Sequence, residues 1–345
     1  MRRKALTVFM LLSALASLSA SSMAQEPIKL KLAGVVPPSH YMAVHADIFF
    51  MDKVKELTNG AITFEYYPAQ QLGKADAIMK LTQAGVADIG QQPIGYVMDR
   101  LPLSGVVGLP GLADTSCAAT ASYSRLAQPG GLLYESDFKP NKVRAVFSVL
   151  LPQYSVITSA KKIAVPADFA GLKLRVDGGV MEMSANTLGA IPIQLASPDV
   201  YQSLSRGTID GVFFALLSAK PYKLQTTSKY AVRGFSFGTA GVNWLISDAV
   251  WDKLSPQVQQ AMTSAGRMAE KQFCDYADAN EDGEADVLAK VGVTITTFSP
   301  EARRELKNAL QPVIEKWAKD QDNRGKPGSA VLKAYTDGVE ALQKK

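Results

Sequence analysis

Residues able to do covalent or metal chemistry are scarce in this chain and poorly spaced for it. Its only histidines are His40 and His45, and neither belongs to a Cys/His metal-ligand pattern, since no closely spaced cysteine pair accompanies them. The sequence holds no G-x-S-x-G nucleophile elbow, no G-x-x-x-x-G-K-[ST] phosphate loop and no G-x-G-x-x-G after a strand. Carboxylates are plentiful, but a catalytic pair drawn from distant segments is invisible without a fold. Neither a metalloenzyme nor a nucleophilic enzyme is supported, and no cofactor or metal is expected. His40 follows Pro37-Pro38-Ser39 in the loop after the first expected strand, a place that suits either a ligand-facing edge or a solvated loop.

The N-terminus carries a targeting pattern. Met1-Arg2-Arg3-Lys4 precedes an uncharged apolar run from Ala5 to about Ala20, and Ser22-Met23-Ala24 offers a small-x-small cleavage site. The apolar run falls short of the roughly 20 residues needed to span a bilayer. Residues 1–24 therefore read as a cleaved signal peptide of an exported, periplasmic protein, with no cysteine at the cleavage point to carry a lipid anchor. Cleavage would remove three positive charges and no acid, lowering the formal net charge from +5 to +2 over 321 residues. With no cluster of basic residues interleaved with aromatics, nucleic acid is not an expected partner. An oxidising compartment permits the two cysteines, Cys117 and Cys274, to pair. Two separate buried thiols are the other reading, since distance decides the matter.

Behind these residues lies an alternation of strands and helices, which predicts a layered α/β protein large enough for two domains. Strands are expected at 28–33, 62–67, 86–90, 143–150, 155–158, 172–176, 208–213, 230–237 and 242–247. Helices are expected over 42–57, 75–84, 180–188 and 198–205, and over a long stretch from Ser255 to Lys290 with a break near Asp282-Gly283. Ser299-Pro300-Glu301 is a capped start for a further helix, and 322–328 reads as a polar linker before a last one.

Several segments resemble the DctP-type solute receptors of tripartite ATP-independent periplasmic (TRAP) transporters. They are Thr58-Asn59-Gly60 with Tyr67-Pro68-Ala69-Gln70-Gln71-Leu72-Gly73, then Gly85-Val86-Ala87-Asp88-Ile89, then the block Asp168 to Val176. Leu188-Gly189-Ala190-Ile191-Pro192, Asp199 to Leu204 and Gly207-Thr208-Ile209-Asp210-Gly211 follow in order. The resemblance implies a two-lobe periplasmic-binding-protein fold with hinge strands and a long interdomain helix. One lobe would hold 25–152 plus 241–280, the other 153–240 plus 281–345. It also implies a small organic anion as ligand and the membrane subunits of a TRAP importer as partners, without catalysis. Past residue 24, apolar stretches such as Val212 to Ser218 are too short for a membrane anchor in the mature chain.

The family's carboxylate-gripping arginine falls on Arg175. A guanidinium at the C-terminal edge of a strand suits the cleft that ligands use in open α/β folds, and its planar fork matches a carboxylate bidentately. The competing reading is a salt bridge to Asp177, two residues on. Where some members carry a second arginine, this chain runs Gln153-Tyr154-Ser155, and after Asp210-Gly211 it continues Val212-Phe213-Phe214. One cation and an aromatic wall suit a monocarboxylate with an apolar or aromatic body. A small dicarboxylate or sulfonate is the alternative, and a periplasmic enzyme or a sensory receptor stands further off. Strand alternation allows only one of Phe213 and Phe214 to face the cleft. Gln92, Tyr154, Trp244 and His40 complete the expected contacts.

Overall fold

A computed structural model of the chain describes residues 27–343, so the expected signal peptide lies outside the described residues. The first half runs β1 (Ile28–Ala33), α1 (Phe49–Leu57), β2 (Ile62–Tyr67), α2 (Ile78–Gln83), β3 (Ile89–Pro93), α3 (Ser116–Ala127), β4 (Val143–Leu150) and β5 (Ser155–Thr158). It continues through β6 (Lys173–Val176), α4 (Val180–Thr187), β7 (Ile191–Gln194), α5 (Val200–Ser205), β8 (Gly211–Phe214), α6 (Leu216–Ala219) and β9 (Tyr230–Arg233). The chain closes with β10 (Gly241–Ser247), α7 (Asp248–Trp251), α8 (Pro256–Lys290), β11 (Thr294–Thr297), α9 (Pro300–Asn323) and α10 (Gly328–Gln343).

These strands make two mixed sheets, one per lobe. The first has the order β2-β1-β3-β10-β4 and the second β11-β9-β5-β8-β6-β7. In β1, alternation turns Leu30 and Leu32 inward and leaves Lys29 and Lys31 exposed. β4 lies at a sheet edge, yet nearly all of it is buried, because α3 and α8 pack across it. β10 is laid antiparallel between β3 and β4 although it arrives late in the chain.

The lobes are joined by two segments that run side by side and by α8. Leu151 N–H donates to the Ala240 carbonyl at 2.9 Å, Tyr154 N–H to the Gly238 carbonyl at 2.9 Å, and Phe237 N–H to the Tyr154 carbonyl at 3.1 Å. Gly238 has a φ of 92°, and a Cβ there would strike the Gly108 carbonyl oxygen. Both the conformation and the close approach require glycine. Along α8, Met262, Ala265, Ala269 and Phe273 sit in the larger core, while Ala285 and Leu288 sit in the smaller core with Val200, Leu204 and Val212.

One expectation about the helices needs correction. α8 runs unbroken through Asp282-Gly283, because Gly283 is surrounded by open space and one glycine costs a long, packed helix only about 1 kcal/mol. α10 packs on α3 of the first lobe. Ser122 Oγ donates to the Tyr335 carbonyl at 2.7 Å, and a Cβ on Gly338 would strike Ser122. The capped start of α9 is as expected: Ser299 Oγ accepts from Ala302 N–H at 3.1 Å.

Cys117 on α3 and Cys274 on α8 are bonded, with an S–S distance of 1.99 Å. The bond pins two helices of the first lobe to each other.

Candidate functional site

A narrow cleft lies between the lobes. The first lobe contributes Val36, His40, Met42, Pro93 and Tyr96; the second contributes Asp177, Ser197, Phe214, Ser218 and Tyr222; Tyr154 and Ala240 come from the joining segments. Most second-lobe groups stand just beyond the C-terminal ends of the parallel strands β6, β7 and β8, where open α/β sheets hold ligands.

Arg175 is the charged centre of this region and is fully buried. It packs against the ring of Phe214, whose centroid is 5.3 Å from the guanidinium carbon. Nε donates to the Leu195 carbonyl at 2.8 Å, and Nη2 donates to Tyr96 Oη at 3.2 Å and to Ser197 Oγ at 3.1 Å. Nη2 also forms an ion pair with the Asp177 carboxylate. Nη1 makes a long contact, 3.4 Å, to the Phe213 carbonyl. Burial by itself would lower the pKa of this guanidinium, but Asp177 and the surrounding tyrosines raise it, so Arg175 stays charged.

Tyr96 links the lobes: its Oη also accepts from Ser197 N–H at 2.9 Å. Tyr41 Oη and Ser218 Oγ meet at 2.9 Å in a second contact across the cleft. Tyr154 Oη donates to Asp177 Oδ2 at 3.2 Å. Burial pushes Tyr96, Tyr154 and Tyr222 above the ordinary phenol range. His40 is 2% exposed, and burial lowers its pKa to about 3, so the ring is neutral. Its Nδ1 accepts from Met42 N–H at 3.0 Å, which places the proton on Nε2, an atom with no partner among the described residues. The cleft therefore offers a paired cation, a neutral unpaired donor, and apolar and aromatic walls.

The structure brings Arg175, Phe214, Tyr154 and His40 together and puts the other expected contacts elsewhere. Phe213 points to the opposite face of the sheet, stacked on Phe237 with centroids 4.7 Å apart. Gln92 is buried beside α2, where its Oε1 accepts from Met79 N–H at 2.7 Å and its Nε2 donates to the carbonyls of Ala75 and Pro93. A buried amide is satisfied this way by an open helix end, leaving nothing for a ligand. Trp244 lies in the first-lobe core, stacked 4.2 Å from Phe147, with its Nε1 donating to Asp47 Oδ1 at 2.6 Å. Asp47, buried and pushed up to about 7, also accepts from Tyr66 Oη and Gln91 Nε2, so this polar cluster is structural. Tyr96, Ser197, Ser218 and Tyr222 were not expected. Their signal is weak: apart from Tyr96 they follow the ends of β7 and β8, which becomes informative once the strand order is known.

The sequence profile of the bacterial extracellular solute-binding proteins, family 7 (DctP), matches residues 32–320. The C4-dicarboxylate-binding periplasmic protein DctP of Rhodobacter capsulatus is 27% identical over 335 residues, covering 90% of this chain and 92% of the relative. The 2,3-diketo-L-gulonate-binding periplasmic protein YiaO of Escherichia coli K12 is 24% identical over 343 residues, covering 98% and 99%. Among solved structures, a TRAP solute-binding protein from Rhodoferax ferrireducens in complex with benzoate superposes with a TM-score of 0.84 at 23% identity, covering 92% of this chain and 99% of that one. A TRAP solute-binding protein from Bordetella bronchiseptica with bound mandelate gives 0.83 at 22% identity, covering 92% and 100%. Those superpositions agree with two lobes, two mixed sheets and the helices between them.

Proposed function

This chain belongs to the DctP family of bacterial extracellular solute-binding proteins, and from that membership we propose that its cleft captures a monocarboxylate with an aromatic or apolar body and presents it to a TRAP-type importer. Proteins of the family are substrate receptors that work with membrane subunits. Among the described residues, no helix is long and apolar enough to cross a membrane. Export by a cleaved signal peptide is part of the proposal, in keeping with the pattern of residues 1–24.

The observation that carries the reading is Arg175 buried beneath Phe214 at the back of an aromatic-walled cleft. No lysine or second arginine lines that cleft among the described residues. A dicarboxylate would leave one of its two charges without a cation, a costly arrangement in a closed site. A benzoate- or mandelate-like acid instead places one charge toward Arg175 and its ring against Phe214, Tyr154 and Tyr222. Similar structures hold benzoate and mandelate, which supports this class. The neutral His40 Nε2–H is a further donor for a ligand oxygen.

A thermal-shift screen of organic acids tests the proposal, since a ligand that binds only the folded chain raises its melting temperature by mass action. Aromatic monocarboxylates should stabilise more than succinate or malate. The reverse ranking would refute it.

A further inference from the structure

Arg175 is already paired. Its Nη2 meets the carboxylate of Asp177, which also accepts from Tyr154 Oη. Asp177 forms part of the cleft wall, and the Arg175 guanidinium reaches that wall at Tyr96, Ser197 and Asp177, so an acid drawn to the guanidinium comes to rest beside a second carboxylate. The guanidinium and Asp177 sum to zero charge, and an added anion leaves the buried cluster one charge negative. Two carboxylates that share a site away from water do not both stay ionised.

Asp177 has little freedom to leave. Gly95 of the first lobe presses on it so closely that a Cβ at position 95 would lie 2.7 Å from the Asp177 Cβ. Only 6% of the residue is exposed. The other titratable groups around it are Tyr96 and His40 from the first lobe, Tyr154 from the joining segment and Tyr222 from the loop after α6. Burial raises the tyrosines and lowers the histidine to about 3, so none of them changes charge near neutral pH. No glutamate, lysine or other aspartate lines the cleft among the described residues.

We propose that an acid is taken into this cleft together with one proton, held between its carboxyl group and Asp177, with Arg175 serving both. The inference rests on the proposed capture of a monocarboxylate. The proton comes from bulk water with the anion and returns to it on release, so protons and charge balance. Affinity then weakens about tenfold for each pH unit between about pH 6 and 8, because each binding event takes one proton from solution. Asp177→Asn keeps the side-chain shape and removes the second charge, and with it the need for the proton.

The test is titration calorimetry of the mature chain with benzoate at about pH 6, 7 and 8, in two buffers of different ionisation enthalpy. The wild type should take up about one proton per benzoate, with Kd rising about tenfold per pH unit. D177N should take up almost none, show a flat profile and bind more tightly than the wild type at the alkaline end. Benzoate bound by the wild type without proton exchange overturns the inference and leaves acid capture standing. Failure of both proteins to bind benzoate, mandelate or acetate at any of these pH values overturns both.

Discussion

At the residue scale, two side chains separate charge from shape. Arg175→Ala should cost more than a hundredfold in acid affinity, because an enclosed carboxylate without its cation loses about 3 to 5 kcal/mol. It should also destabilise the fold by a similar amount, since it strands the buried Asp177 carboxylate. The double variant with Asp177→Asn should regain stability but not binding, and Arg175→Lys should recover only part of the affinity. Calorimetry with denaturant unfolding reads both quantities; full affinity in a folded Arg175→Ala protein would make the arginine structural. Phe214 and Phe213 form a second contrast, adjacent in sequence but on opposite faces of the sheet. Phe214→Ala should weaken benzoate by about tenfold or more and leave acetate almost unchanged, through lost apolar contact. Phe213→Ala should instead cost about 3 to 5 kcal/mol of stability with little change in affinity. Equal effects of the two on benzoate would contradict the assignment of faces.

At the scale of elements, the bond between Cys117 and Cys274 ties α3 to α8 across a sequence separation of 157 residues. Closing so long a loop restricts the unfolded chain, and removing the bond by a double change to serine should cost about 2 to 4 kcal/mol of stability. Both helices pack on β4 in the first lobe, away from the cleft. Ligand affinity should therefore stay within about twofold, by the independence of distant sites. The denatured, unreduced protein should show no free thiol, and two titratable thiols would remove the basis for this expectation.

At the scale of the whole molecule, the lobes touch through few polar contacts, and Tyr96 makes several of them, to Ser197 and Arg175. Tyr96→Phe removes these bonds and leaves Ser197 N–H without its partner. Because they join lobe to lobe, affinity should fall by a common factor of about 5 to 30 for every acid, aromatic or not. Small-angle scattering should show less compaction on binding. A loss confined to one class of acid would mean that Tyr96 reads the ligand directly.

Local rules determined most of the elements. Alternation in Ile28–Ala33, the Ser-Pro cap before α9 and the apolar face of α8 are consequences of neighbouring residues, and so they were legible in the sequence. Arg175 stood out in the sequence for a different reason, its place in a motif on one strand, and its part in ligand capture belongs to the proposal; the adjacency of Phe213 and Phe214 showed that only one of them faces the cleft. Which one did not follow from alternation, because the sheet's two faces are distinguished only by what packs on each: Phe237 on one, Tyr154 and Tyr222 on the other. Gln92 and Trp244 were misplaced for the same reason. A buried amide and an indole N–H go wherever an open helix end or a buried Asp47 accepts them, and those partners come from distant segments. Whether Arg175 is free or paired is also a tertiary matter: the lobes meeting at Gly95 hold Asp177 against the guanidinium, and local sequence carries no record of that contact.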